Sequence, residues 1–374
     1  MRVLHVSSGN LYGGIEALLH TVAREQHHHP ALSHAFALCF EGRLARELRD
    51  AGAELHLLGP TRAGRPWSVW RARSVLRELL RGGRHDAVIC HAIWPQALFG
   101  PVARVAGVPL VFFQHDALSG RHWLERWARV TPPDLVLSNS RFSAGTLASV
   151  YPRVPFRVSH CPLPTPSPMP AAPTRARLRE SLGAAEDDVV ILSASRMQEW
   201  KGQRLLLEAL GRLRGTPGWR AWIAGGAQRP EEAAYLDGLR AQVAQLGLEG
   251  RVGFLGQRGD VPWLLRAADL HCQPNVGPEP FGLAFVEALQ AGLPVVTTAM
   301  GGALEIVDDT CGVLVPPEPE PLAQALKRLI EEPQTRSRLG SAGPARAAAL
   351  SDAGDFFRRL EDAVRTLSGQ EARA

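Results

Sequence analysis

Short apolar runs alternate with helix-period segments along the first half of the chain. Between the runs, apolar residues recur at helical spacing, as at Leu76, Leu79 and Leu80. Such alternation predicts a parallel sheet with helices on both faces. The runs predict strands at Arg2–Val6, Ala35–Cys39, Glu54–Leu58, Asp86–Cys90, Leu110–Phe113 and Asp134–Ser138.

Alternating prolines fill the stretch from Cys161 to Pro173. They suit neither a helix nor a central strand, so we predict an extended linker and a domain boundary. The alternation then resumes. Strands are predicted at Val189–Ser193, Ala221–Ala224, Val252–Leu255, Leu270–Gln273, Val295–Thr298 and Gly312–Val315, with helices at Gln203–Leu213, Glu231–Leu246, Val261–Ala267, Phe285–Ala291 and Leu322–Ile330.

The length of 374 residues favours two domains. We expect an α/β protein with two Rossmann-like, doubly wound parallel-sheet domains, at residues 1–165 and 166–350. A helical C-terminal stretch follows at residues 351–374.

Composition excludes several classes of protein. No apolar run is long enough to span a bilayer, and the N-terminus is too soon broken by Ser7, Ser8 and Gly9 for a secretory signal. The five cysteines lack close spacing, which is typical of buried thiols in a reducing cytoplasm. The net charge of +5 comes without any nucleic-acid-binding motif, so we expect no nucleic-acid partner.

Two cations follow the first predicted strand of the second domain. Lys201 stands out because Lys327 is the only other lysine in the chain. Arg196 and Lys201 lie beyond the end of that strand, where open α/β sheets bind ligands. A guanidinium and an ammonium suit a diphosphate, and they could stabilise its departure without a metal. The alternative is a surface turn with two solvated bases.

Two carboxylates, Glu279 and Glu287, flank the start of a predicted helix near Gly282. Both are acceptor-only side chains that could bind a ligand rich in hydroxyls. The helix N-terminus between them favours phosphate. Taken alone, the pair would more often be a solvated helix face.

Three further segments follow first-domain strands. Gly13 and Gly14 open a helix and could bring backbone N–H groups close to phosphate, although a plain turn is the alternative. His115 ends a hydrophobic strand and could bond a sugar hydroxyl or a developing charge, and the alternative is a satisfied loop histidine. Asp116, beside it, could contact an acceptor or cap the next helix, and we favour capping. Asn139 and Ser140 are expected to cap a helix at residues 141–149.

The run from Pro274 to Val307 resembles the donor-binding signature of retaining, GT-B-fold glycosyltransferases of family 4. It contains Glu279 and Glu287, a Gly-x-Pro-Val-Val strand and a Gly-Gly-x-x-Glu turn that ends at Glu305. Arg196 and Lys201 match the Arg-x4-Lys-Gly pattern of this family. Gly13, Gly14 and Glu16 match its Gly-Gly-x-Glu turn, and His115 matches a histidine at the end of the corresponding strand.

The resemblance implies a GT-B enzyme with an interdomain cleft, which moves a hexose-type sugar from a nucleoside-diphosphate sugar to an acceptor hydroxyl. It implies a UDP- or GDP-linked donor and an acceptor that is a glycan, a lipid-linked sugar or a small molecule. We expect no metal and no cofactor. Arg196, Lys201, Glu279 and His115 are the implied catalytic residues, with Glu16 and Asp116 on the acceptor side. The implied donor-binding residues are Gly13, Gly14, Asn275, Phe281, Gly282, Leu283, Glu287 and Glu305.

Three alternatives remain open. They are a sugar-nucleotide epimerase, a glycoside phosphorylase, or a binding subunit without activity. Separately, the Arg-rich stretch from Arg62 to Arg84, with Trp67 and Trp70, could lie on an anionic membrane. We favour the alternative that these tryptophans face the core. The expected location is the cytoplasm, with peripheral membrane contact as an option.

Overall fold

The computed structural model describes residues 1–165 and 175–369. The chain forms two compact units, one of residues 1–165 with 351–374 and one of residues 166–350. We call them the first and second unit. Most of the prolines of the predicted linker, at 166 to 173, lie outside the described residues.

Parallel strands form one sheet in each unit. The first sheet has the order β3-β2-β1-β4-β5-β6-β7, and the second has the order β10-β9-β8-β11-β12-β13. This confirms the predicted α/β class. The strands are β1 (Arg2–Ser7), β2 (Ser33–Leu38), β3 (Glu54–Leu57), β4 (Ala87–His91), β5 (Leu110–Gln114), β6 (Leu135–Ser138), β7 (Phe156–Val158), β8 (Val189–Ala194), β9 (Trp219–Ala224), β10 (Val252–Gly256), β11 (Leu270–Gln273), β12 (Val295–Thr298) and β13 (Gly312–Val315).

Helices connect the strands, as parallel pairing requires. Leu4 and Val6 of β1 belong to the buried core of the first unit, and Ile191 and Ile223 to that of the second. The helices are α1 (Gly14–Glu25), α2 (Arg43–Asp50), α3 (Pro66–Gly82), α4 (Ile93–Val105), α5 (Trp123–Ala128), α6 (Arg141–Thr146), α7 (Arg175–Ser181), α8 (Gln203–Arg212), α9 (Pro230–Gln245), α10 (Val261–Ala267), α11 (Leu283–Gln290), α12 (Ala303–Ile306), α13 (Pro319–Glu331), α14 (Pro333–Ser351) and α15 (Ala353–Leu367).

In each sheet the direction in which successive strands are added reverses beside the first strand, which is β1 in the first sheet and β8 in the second. We call this position the reversal point. In the second unit β8 lies between β9 and β11, so the connections run away from it on both sides. Loops that follow β8 and β11 therefore separate at their carboxyl ends and leave a crevice, which is the usual ligand site of such sheets.

Two predictions of helix caps had different outcomes. The Ser140 hydroxyl accepts a hydrogen bond of 2.9 Å from the Ser143 N–H at the start of α6, which confirms that cap. The preferred capping role of Asp116 is wrong, because His122 caps α5. His122 lies directly before the helix, whereas Asp116 lies six positions before His122.

The favoured interpretation of the Arg-rich segment is also wrong. Trp67 and Trp70 of α3 are 63% and 71% exposed. The core side of α3 is instead formed by Val69, Ala72 and Leu76, which recur at helical spacing. None of the helices in residues 1–165 and 175–369 is both long and apolar enough to cross a membrane.

Gly202 is a point of tight packing in the second unit. It has φ +76° and ends a 3-10 turn at Glu199–Lys201, before α8. A Cβ at this position would collide with the carbonyl of Pro274, just beyond β11. The glycine therefore allows the loop that carries Lys201 to lie directly against the loop after β11.

We predict that Gly202→Ala destabilises the second unit by at least about 2 kcal/mol, because backbone strain and a backbone collision add. Hydrogen exchange of the β8 and β11 amides measures the loss. Gly218→Ala is the matched control, since Gly218 has φ +71° and open space around its Cβ position. Equal losses in the two variants would contradict the packing argument.

Candidate functional site

A buried carboxylate organises the crevice at the end of β8 and β11. Glu279 is 7% exposed. Its Oε2 accepts hydrogen bonds from Lys201 Nζ at 2.7 Å, Asn275 Nδ2 at 2.7 Å and Gln273 Nε2 at 3.1 Å. One oxygen thus receives one charged and two neutral donors, so the side chain is held in a single position.

Neighbouring strands hold two of the three donors in place. Gln273 ends β11, and Asn275 follows two residues later. Hydroxyls from β12 fix their backbone, since Thr297 donates to the Gln273 carbonyl at 2.8 Å and Thr298 to the Asn275 carbonyl at 2.6 Å. Lys201 Nζ lies 4.0 Å from the ring centroid of Trp200, whose π face favours a cation.

The Gly301-Gly302 turn packs against the backbone of Glu279. The Gly302 N–H donates to the Glu279 carbonyl at 2.7 Å, and Gly301 pairs with Glu279 in an isolated parallel bridge. A Cβ on Gly302 would lie 2.7 Å from the Pro280 carbonyl oxygen. The close approach explains why both positions are glycine.

Helix α11 begins at Leu283 with Gly282 as its N-cap, in agreement with the predicted start. Phe281 is buried, and Leu283 opens the first turn. Gly282 offers no side chain to cap that turn, so a ligand oxygen could approach the N-terminus. Glu279 lies on the loop before the helix and Glu287 within it, as expected.

Glu287 differs from Glu279 in its surroundings. Burial raises the pKa of Glu287 to about 7. No partner bonds its carboxylate within the described ranges of the chain. Glu287 therefore has an acceptor group that is not used within the second unit.

Arg196 and Lys201, which we expected to act together, pair with different carboxylates. Arg196 Nη2 contacts Glu232 Oε1, at the start of α9, while Lys201 contacts Glu279. Glu232 is buried, and it also accepts a bond of 2.7 Å from the Gln228 N–H. Sequence reasoning missed Glu232, because a glutamate in a helical first turn gives no signal of such a role. Arg196 Nε is buried and has no hydrogen-bond partner in the described residues.

Glu305 lies in the short helix α12 after the Gly301-Gly302 turn. Arg346 of α14 donates to the Glu305 carbonyl at 2.8 Å and to the Ile306 carbonyl at 2.9 Å. This arginine fixes the end of α12, so the Glu305 backbone has a defined position.

In the first unit, Glu16 is engaged within its own helix. Its Oε2 accepts a bond of 3.0 Å from the Gly13 N–H, at the N-terminus of α1. That N–H, which we expected to face phosphate, therefore has an acceptor within the unit. Gly14 is exposed at the first position of α1. The ligand roles of all three residues stay predictions.

His115 is one end of a row of four buried histidines. His91 Nδ1 lies 3.1 Å from His115 Nε2, His5 Nδ1 lies 2.9 Å from His91 Nε2, and His34 Nδ1 lies 2.9 Å from His5 Nε2. We call His34, His5, His91 and His115 the histidine row. Sequence reasoning missed three of its members, although a histidine within an apolar strand was an available signal. Asp116 follows the row and is exposed.

Among the described residues, no group of three or more His, Cys, Asp or Glu side chains could hold a metal ion. The five cysteines are free and buried, as predicted.

Two family models match the chain, one in each unit. Residues 12–165 match the model described as Glycosyltransferase Family 4, and residues 174–346 match the model described as Glycosyl transferases group 1.

Relatives with names of the same kind align across most of the chain. A D-inositol 3-phosphate glycosyltransferase from Nocardioides sp. is 31% identical over 307 residues, which cover 71% of this chain and 65% of that protein. One from Saccharomonospora viridis is 31% identical over 308 residues, covering 75% of this chain and 69% of that protein. The chain thus spans about two thirds of the length of these relatives.

Solved structures share the complete fold. Anabaena HepE, in complex with UDP and glucose, has a TM-score of 0.83 at 26% identity. The alignment covers 98% of this chain and 100% of the HepE chain. Sucrose-phosphate synthase from Thermosynechococcus elongatus has a TM-score of 0.79 at 18% identity, with 99% of each chain covered, and supports the fold alone. The chain therefore belongs to the group 1 glycosyltransferases of family 4, and its two Rossmann-like units are those of the GT-B fold.

Proposed function

We propose that this protein is a retaining glycosyltransferase that moves a hexose-type sugar from a UDP-linked donor to an acceptor hydroxyl. The buried cluster of Lys201, Glu279, Asn275 and Gln273 at the switch point of the second sheet carries the proposal. The cluster offers an ammonium group to a diphosphate and a carboxylate to the hydroxyls of a sugar. The UDP and UDP-glucose complexes of HepE support uridine as the base and a hexose as the sugar.

Glu279 keeps one oxygen for a donor hydroxyl. All of its side-chain bonds within the described part of the chain go to Oε2. Oε1 can therefore accept a hydroxyl of the donor sugar. Lys201, whose side chain is 16% exposed, has three N–H donors and uses one on Glu279. The others can bind the diphosphate.

Arg196 and Lys201 would stabilise the negative charge that grows on the departing diphosphate. Because these fixed cations supply positive charge, the transfer needs no metal in our proposal. Retaining hydrolases use a second carboxylate as nucleophile, whereas in our proposal Glu279 binds a hydroxyl of the donor sugar. We therefore propose attack from the face of the leaving group, whose phosphate accepts the acceptor proton.

The remaining roles follow the sequence predictions. Glu287 would accept the ribose hydroxyls, and the start of α11 at Gly282 and Leu283 would bind the diphosphate. Glu305 would close the donor pocket. The first unit would bind the acceptor, with His115 near the reacting sugar. The named relatives act on inositol phosphate, and for this chain we propose a hydroxyl of a glycan, a lipid-linked sugar or a small polyol.

A screen of labelled UDP- and GDP-hexoses, with and without candidate acceptors, tests the function. The proposal expects a labelled product only with an acceptor. Epimerised donor without an acceptor would indicate the epimerase alternative, and product that requires inorganic phosphate would indicate a phosphorylase. Donor binding without any turnover across the acceptor panel would favour a binding subunit.

Lys201→Met is expected to lower the rate of sugar transfer by about 100-fold or more, because an unbalanced charge would develop on the leaving diphosphate. Lys327→Met is the matched control. Lys327 is an exposed lysine of α13, far from Lys201 along the chain, and it pairs with Glu331 of the same helix. Initial rates under saturating donor measure the effect. Equal rates for the two variants would remove Lys201 from the mechanism.

The affinity for UDP-glucose is expected to rise about tenfold between pH 6 and pH 8 and then to level off. The pKa of Glu287 is about 7, and ribose hydroxyls donate to the ionised form, so deprotonation favours binding. Glu287→Gln should remove the rise, whereas Glu331→Gln should keep it. Calorimetric titrations across this range provide the measurement, and a flat wild-type profile would contradict the ribose role.

We also propose that the exposed face of α3 contacts an anionic membrane surface. Trp67 and Trp70 are exposed, and Arg65, Arg71 and Arg81 of the same segment are exposed as well. Tryptophan and arginine together suit the interface of an anionic bilayer.

Co-sedimentation with phosphatidylglycerol vesicles should therefore exceed that with phosphatidylcholine vesicles, and salt should weaken it. The double variant Trp67→Ser, Trp70→Ser should reduce binding by about tenfold or more, because two apolar anchors are lost. The control pair is Val105→Ser with Val130→Ser, since both valines are highly exposed elsewhere in the first unit. If the two double variants bind vesicles equally, α3 is not the contact surface.

A further inference from the structure

The histidine row crosses the first sheet on one face. Its members come from β2, β1 and β4 and from the position after β5, which are four neighbouring strands. His5 pairs with Phe36, two residues after His34, and with Ile89, two residues before His91. Because side chains on a strand alternate between faces, a shift of two residues keeps every histidine on the same face. The row therefore runs diagonally towards the carboxyl ends of the strands.

The imidazoles of the row are neutral. Burial lowers the pKa of His5 and His91 well below the usual value, and lowers the pKa of His34 and His115 to about 3. A neutral imidazole has one N–H donor and one bare nitrogen acceptor. Each of the three links in the row therefore contains one proton, and all four rings must share one direction of donation.

The two ends of the row differ. His34 Nε2 is buried and has no hydrogen-bond partner among residues 1–165 and 175–369. His115 retains 7% exposure, at the end of β5. If donation ran towards His34, its Nε2 would be a buried N–H without an acceptor, which is rare and costly in folded proteins. Donation in the other direction places the last N–H on His115 Nδ1, which, unlike His34 Nε2, is not a buried nitrogen without a partner among the described residues.

We propose that His34, His5 and His91 are positioning residues that hold His115 with its proton on Nδ1. His115 then acts as a hydrogen-bond donor towards a ligand and cannot take a proton at that nitrogen. The ligand atom that it suits is an oxygen with a free lone pair, such as a sugar hydroxyl oxygen or an anionic oxygen.

For the reaction, this inference rests on the proposed function and refines it. His115 would stabilise negative charge on an oxygen, but it would not be the base that deprotonates the acceptor hydroxyl. The acceptor proton must then go elsewhere, which agrees with its transfer to the departing phosphate.

Nitrogen-15 NMR of the full chain, labelled at histidine, tests the inference, because multiple-bond correlations distinguish a protonated Nδ1 from a protonated Nε2. The His115 signals are assigned by comparison with His115→Phe. We expect a single form of His115 with the proton on Nδ1. A proton on Nε2, protons on both nitrogens, or exchange between the two forms would overturn the proposal.

Variants show whether the row is the cause. His91→Phe should release His115 into a mixture of both forms. His91→Asn should restore the single form, because the asparagine amide nitrogen is as many bonds from Cα as Nδ1. His85→Phe is the matched control, since His85 is another buried histidine of the first unit outside the row. It should leave His115 unchanged.

If His91→Phe folds and His115 keeps the single Nδ1–H form, the row does not position it and the proposal fails. If His91→Phe does not fold, the smaller His91→Leu removes the same donor to His115 Nε2, with the same expected mixture at His115. UDP-glucose binding is measured in parallel. A chain that shows the Nδ1–H form without binding UDP-glucose would support the row and contradict the proposed function.

Discussion

The bond between Lys201 and the buried carboxylate of Glu279 is the constraint on which the second unit's site depends. A buried charge is costly unless it is paired and hydrogen-bonded. Here one ammonium and two amides converge on a single oxygen. Every loop that contributes must therefore be held closely, which explains the glycines at 202, 301 and 302, where a side chain would collide with backbone.

The two units solve the same problem by different means. In each, a polar side chain ends a strand next to the point where the strand order reverses, as Gln273 does on β11 and His91 on β4, and a doubly wound sheet leaves room for a ligand there. The second unit uses opposite charges, with Lys201 and Arg196 each balanced by a glutamate. The first unit uses neutral imidazoles in series. Charge suits a diphosphate, whereas a neutral donor suits a single oxygen.

The sequence was enough for twelve of the thirteen strands in the described residues, since apolar runs in a buried parallel sheet are distinct from helical periodicity. β11, β12 and β13 begin and end where they were predicted. The short edge strand β7 was not predicted, because its residues are largely exposed and lack an apolar run. The helix α14 was also missed, since Gly340, Gly343 and Pro344 interrupt its pattern.

The site residues that belong to a local sequence motif were predictable. The positions of Glu279 and Glu287 around Gly282 follow from local spacing along the chain. The partners of Arg196 and His115 do not, because they come from elements that are distant in sequence and carry no motif. Glu232 lies 36 residues beyond Arg196, and His91 lies 24 residues before His115.

Distant partners of this kind decide chemistry that a motif alone leaves open. A histidine at the end of a strand could be a base, a donor or a structural residue, and its own neighbours in sequence do not distinguish these roles. The row restricts the direction in which its imidazoles donate, because a buried N–H at His34 Nε2 would lack an acceptor. The protonated nitrogen of His115 is then determined three side chains away, across four strands of the sheet.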